Sequence, residues 1–195
     1  MESRQGLKEK NLAAFKKPAP AVHQLLTSHR PKSELVFDKK GVPDVKIAGR
    51  LAFDGKAVDF ASRQLSEFWE HPTYIGFDVA TPGWADRYIN PFLAEVLKNA
   101  TEAGIQFVAT PPNRESFFLI VFGIGLGQHI DALLESVHPY FVLFIDPNIE
   151  FLYHSLEIYR WHALFDVLHA RGGDAYFLFD NNPDRLSSGI LEAPN

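Results

Sequence analysis

The chain has no cysteine among its 195 residues. That excludes disulfides and thiolate metal sites, and it agrees with a cytoplasmic protein. No apolar run approaches the roughly 18 residues that span a bilayer, so no membrane helix is expected. The N-terminus, MESRQGLKEKNLAAFKK, is charged and lacks the apolar core of a secretory signal. None of the eight histidines stands in an HxxxH or HExxH pair, so no zinc site is expected. GxSxG and Walker-type GK[ST] motifs are also missing, and no catalytic residue suggests itself. There is no aromatic-basic platform of the kind an RNA-binding sheet uses. The charge is nonetheless uneven. Residues 1–50 carry 11 Lys and Arg against 5 Asp and Glu, and residues 51–195 carry 8 against 19. The basic residues are scattered, so the basic head reads as a solvated surface and no nucleic-acid partner is expected.

What remains is a soluble globular composition, 46% hydrophobic and 22% charged, with 17 phenylalanines as core material. Residues 6–17 and 20–28 read as two short helices punctuated by Pro18 and Pro20. Residues 33–57 read as β-rich. SELVF and DVKIAGRLAF are strand material, with turns at 38–41 and at Asp54-Gly55. Val58 to Trp69 has helical apolar spacing. The stretch after it is broken by Pro72, Gly76, Pro82 and Gly83, and a domain boundary is placed at 72/73. Tyr88 to Ala103 reads as an amphipathic helix stopped by Gly104. Strand candidates follow at 105–109, 117–122, 140–145 and 175–179, with helices near 128–136 and 149–170. This alternation predicts a mainly parallel sheet. The expected fold is α/β: an N-terminal α+β portion, residues 1–72, then a Rossmann-like half-fold, residues 73–195. Only half of a doubly wound sheet is present, so the chain is expected to be the N-terminal piece of a longer protein.

The densest information lies in FFLIVFGIGLGQHIDALLESVHPYFVLFID, residues 117–146. A strand ends in Gly123, Gly125 and Gly127, a helix follows, and a second strand stops at Asp146. Nucleotide-binding α/β folds use this layout. Gly123 would allow the sharp turn, Gly125 the approach of a ligand, and Gly127 a helix start close to the strand. The helix N-terminus would offer N–H groups to an anion, and Asp146 would accept from a ribose. The motif is GxGxG, because position 128 is Gln where a dinucleotide fingerprint has its third glycine. Methyltransferases that bind S-adenosylmethionine use GxGxG, commonly with an acid two residues earlier, where this chain has Val121. The competing reading is structural: the glycines let elements pack, and Asp146 caps the next helix through Asp146-Pro147-Asn148-Ile149-Glu150. A nucleotide-like ligand and a purely structural turn both stand, and the sequence names no cofactor. Lesser candidates are His129 beside the turn, His162 with His169, the polar run 180–184, and the loop bearing Asp78, Trp84 and Asp86.

FGIGLGQHIDALL followed by YFVLFIDPNIEFLYHSLE resembles the Maf proteins, the motility-associated factors related to the 6-hydroxymethylpterin diphosphokinase MptE-like group. KNLAAFKK, the β-rich stretch and LAFDGKAVDFASRQLSEFW are similar to their opening helix, hairpins and first long helix. The resemblance runs over roughly residues 7–180. It implies the domain preceding a central transferase domain, in a protein that moves a nonulosonic acid from its CMP donor onto Ser or Thr of flagellin. The partners it implies are flagellin and the downstream transferase domain. A methyltransferase-like domain and a pure interaction scaffold are the alternatives.

Overall fold

A computed structural model describes residues 3–71, 102–104, 116 and 118–180. Ser3 starts helix α1 (Arg4–Phe15), its hydroxyl accepting from the Gly6 N–H at 3.1 Å. The helix therefore begins two residues earlier than the apolar pattern predicts. Pro20 occupies the first turn of α2 (Pro20–Ser28), where its missing N–H costs nothing.

Strands β1 (Ser33–Phe37), β2 (Pro43–Ile47) and β3 (Arg50–Leu51) form an antiparallel sheet in that order. The segment DVKIAGRLAF is thus not one strand. Ala48 and Gly49 both take positive φ, 49° and 84°, and make a tight hairpin turn. Buried Asp44 accepts from the N–H groups of Val45, Phe53 and Gly55. It thereby fixes the entry to helix α3 (Ala57–Glu70).

Strands β4 (Phe118–Phe122), β5 (Phe141–Ile145) and β6 (Asp174–Leu178) form the second sheet. Both pairings are parallel, Phe118 against Phe141 and Phe141 against Asp174, as the alternation predicts. Between them run α4 (Ile130–Val137), α5 (Ile149–Ser155) and α6 (Trp161–Ala170). The helix predicted over 149–170 is therefore two helices. The chain turns at 156–160, with the N–H groups of Ile158 and Tyr159 on the Ser155 carbonyl. Buried Asn11 of α1 holds that turn. Its amide donates to the carbonyls of Leu156 (2.8 Å) and Tyr159 (2.7 Å), and its oxygen accepts from the His162 N–H.

One core joins the first helices to the parallel sheet. Phe15, Val22 and Leu26 lie with Val121, Phe144, Trp161 and Phe165. The Phe15 and Phe165 rings meet edge to face at 4.9 Å, and Phe144 stacks on Phe177 at 5.2 Å. A smaller cluster of Val45, Ala57 and Leu126 ties the hairpin sheet and α3 to the glycine turn. The domain boundary read at 72/73 and the strand at 105–109 lie outside the described residues, as does the helix read over 88–103 apart from its last two residues; Gly104 after it takes a positive φ of 73°. The portions on either side of that boundary share both apolar clusters.

Candidate functional site

The glycine turn leaves the C-terminal end of β4. The Gly123 N–H donates to the Ile145 carbonyl at 2.8 Å, one residue beyond the strand ladder. Gly123, Gly125 and Gly127 then take φ of 82°, 51° and 82°, where L side chains are strained. The residues between them are apolar and buried: Ile124 joins the main core and Leu126 the smaller cluster. The turn therefore alternates left-handed glycines with inward anchors.

The three glycines meet different surroundings. A Cβ on Gly123 would find nothing within 4 Å among the described residues. On Gly125 it would lie 3.8 Å from the Phe53 ring. On Gly127 it would lie 2.7 Å from Cγ of Tyr159. Phe53 thus packs beside Gly125 at a distance a Cβ would tolerate, and only the positive φ calls for glycine there. Gly127 makes room for the α5–α6 connection, because α4 begins only at Ile130. Between the turn and Phe53, Ala57, Phe60 and Ala61 there remains about 10 Å³, room for one water and no more. Ligand pockets run to several hundred Å³.

Asp146 follows β5 and is buried. Its Oδ2 accepts from the Ile124 N–H and its Oδ1 from the Asn148 N–H, both at 2.8 Å. Burial pushes its carboxyl above the ordinary range, and the N–H groups of Asn148, Ile124 and Gly125 pull it back. The helix cap read for Asp146 belongs to Asn148, whose Oδ1 accepts from the Glu150 N–H at 3.1 Å. Asp146 instead clasps the glycine turn to the entrance of α5. Val121, where a methyltransferase commonly has its acid, is buried in β4.

His129 lies buried under the turn. Burial holds its imidazole below the ordinary value, opposed by a hydrogen bond to the Gly123 carbonyl. His162 and His169 share α6 but not a site. His162 Nδ1 meets Asn11 at 2.9 Å, and His169 lies 3.5 Å from Asp174. Asp180 ends the described sheet region, and residues 181–184 lie outside it. So do Asp78, Trp84 and Asp86. Among the described residues no three His, Asp or Glu side chains are grouped to hold a metal.

A wider groove of about 300 Å³ opens on the other side of Leu126, between Phe37, Pro43, Ile158 and Tyr159. Its lining is part polar: Gln128 contributes to it, as does Tyr159, whose hydroxyl donates to Asp131 at 2.7 Å. The sequence reading missed a second polar centre. Glu150, His154, Ser33 and His29 come together where the α2–β1 connection meets α5. The spacing of Glu150 and His154, four apart on a helix, was the one available signal.

A family model described as the glycosyltransferase Maf N-terminal domain matches residues 8–193. Among solved structures, the Maf glycosyltransferase from Magnetospirillum magneticum AMB-1 is similar, with a TM-score of 0.68 at 26% identity. The match covers 97% of this chain and 30% of that one, so the chain spans under a third of the relative's length. A search of curated proteins found no match.

Proposed function

The chain belongs to the glycosyltransferase Maf N-terminal domain family, and from that premise we propose that it is a non-catalytic domain of a Maf-type protein that glycosylates flagellin. In this reading the sugar is a nonulosonic acid carried by CMP, and the modification supports motility. The domain's task is to seat the transferase domain that follows it and to recruit flagellin. One observation carries the non-catalytic part. Phe53 packs against the turn that resembles a ligand site and leaves about 10 Å³ beside it, and the turn's carboxylate is engaged by the chain's own amides.

Three measurements on the 195-residue chain test this. Immobilised chain should capture purified flagellin, and it should transfer no sugar when given a CMP-nonulosonic acid. CMP and S-adenosylmethionine should leave its melting temperature unchanged. A ligand present at 100 times its dissociation constant would add about 2.7 kcal/mol of stability, which at this size is several degrees. Such a shift with either ligand would return the glycine turn to the status of a candidate binding site, and transfer by the chain alone would overturn the non-catalytic reading. Failure to capture flagellin would remove the recruiting role and leave the seating role.

A further inference from the structure

The polar centre between the α2–β1 connection and α5 is built around one carboxylate. Glu150 Oε1 accepts from the Lys32 N–H at 2.9 Å and meets His29 Nε2 at 3.0 Å. Its Oε2 accepts from the Ser33 hydroxyl, and Ser33 Oγ lies 2.8 Å from His154 Nε2. Ser33 has one proton, and a carboxylate can only accept. Ser33 therefore donates to Glu150, and His154 must donate its Nε2 proton to Ser33. In the neutral imidazole this leaves Nδ1 bare. That atom is buried and has no hydrogen-bond partner among the described residues.

We propose that this cluster is a pH-sensitive latch, in which neutral His154 holds the start of β1 against α5 and protonation at its Nδ1 releases it. A proton on Nδ1 would create a buried donor with no acceptor and a buried charge. The groups facing the ring from each neighbouring element set the balance. Glu150 lies at 3.8 Å from Nε2, but its oxygens are already engaged by Lys32, Ser33 and His29. Glu157 follows α5 and is paired with Lys8 of α1 at 2.9 Å. Lys8 also sits 4.0 Å over the Tyr153 ring, which contacts both His29 and His154. Burial, the largest effect, and the positive charge of Lys8 oppose protonation, while Glu150, Glu157 and a hydrogen bond to the Ser33 backbone favour it. The imidazole is accordingly held below its ordinary value.

The sign follows by linkage. A histidine depressed in the closed state takes up a proton on opening. The latch is therefore fully closed above about pH 6.5, the ordinary histidine value, and weakens as the pH falls below it. What loosens is local. Lys32 and Ser33 begin the hairpin, whereas Phe15, Val22 and Leu26 stay anchored in the main core.

Hydrogen exchange on the 195-residue chain, corrected for the intrinsic pH dependence, tests this between pH 7.5 and 5.5. Amides of Ser33–Phe37 should lose protection below about pH 6.5, by up to tenfold per pH unit for one proton. Amides of Phe141–Ile145 should not. In His154→Leu the dependence should vanish, and in His29→Gln it should persist. A flat wild-type profile, or the same loss in His154→Leu, overturns the latch. Should His154→Leu fail to fold by circular dichroism, the ring proton resonances of His154 in the wild type decide. Protonation that coincides with the loss of β1 protection supports the proposal, and protonation without it overturns it.

Discussion

Replacing Gly127 by Ala tests why the glycine turn is built as it is. Two costs add. At φ of 82° any L residue is strained, by about 1–2 kcal/mol. The new Cβ would also meet Cγ, Cβ and Cδ1 of Tyr159 at 2.7, 2.8 and 3.2 Å. Tyr159 cannot retreat cheaply. Its hydroxyl is donated to Asp131, its N–H to the Ser155 carbonyl, and its carbonyl accepts from Asn11. Forcing a methyl into such a site costs about 1–3 kcal/mol. The expected total is about 3 kcal/mol. Gly123→Ala supplies the control, because Gly123 has the same φ of 82° but nothing among the described residues within 4 Å of its Cβ position. Subtracting one from the other removes the backbone strain and leaves the collision. Urea unfolding measures both, provided the m-values agree. Gly123→Ala should lose about 1–2 kcal/mol, and Gly127→Ala at least 1 kcal/mol more. If the two lose the same amount, the contact with Tyr159 is not what requires glycine at 127, and the reasoning is refuted.

Asp146→Asn should cost about 1–3 kcal/mol in the same assay, because an amide offers one acceptor where two N–H donors now meet two oxygens. A loss below about 0.5 kcal/mol would mean that Asp146 is replaceable like an ordinary cap. His129 is held below its ordinary value by burial, so the folded state binds fewer protons than the unfolded one and stability should fall as the pH drops below about 6.5. His129→Gln should flatten part of that slope in thermal melts between pH 7.5 and 5, and an unchanged slope would exclude it as a contributor.

The parallel sheet was legible because its signals are local. Apolar runs of strand length ending in glycine or Asp, with helices between, fix β4, β5 and β6 to within a residue or two. The left-handed glycines were legible for the same reason, since a positive φ is a property of their own backbone. The break between α5 and α6 was not. LEIYR holds no glycine or proline, and what bends it is Asn11, which reaches its partners across 145 and 148 residues of chain. The surroundings of Gly125 and Gly127 were hidden likewise, because Phe53 and Tyr159 arrive from distant elements. The centre at Glu150 was invisible as a unit, because half of it comes from the α2–β1 connection.

The difference between a ligand site and a structural turn lies in which donors and acceptors are left unspent. An anion site at a helix start keeps its N–H groups free until the ligand arrives. Here four of the turn's N–H groups are spent within the chain: that of Gly123 on Ile145, that of Ile124 on Asp146, that of Gly127 on Ile124, and that of Ile130 on Gly127. Asp146 has the place in the chain that a ribose ligand would have, yet its two oxygens turn back to the turn and to α5. On the side of the turn that faces Phe53 a nucleotide would need that ring to move, and Phe53 is held by its N–H on Asp44 and by ring contacts with Phe60 and Phe151. Opening the turn would therefore disturb the hairpin sheet and the entry to α3 together. Such a turn serves best as the joint between the N-terminal hairpin and the parallel sheet, and a rigid joint is what a domain needs if it is to hold a transferase and its protein acceptor in register.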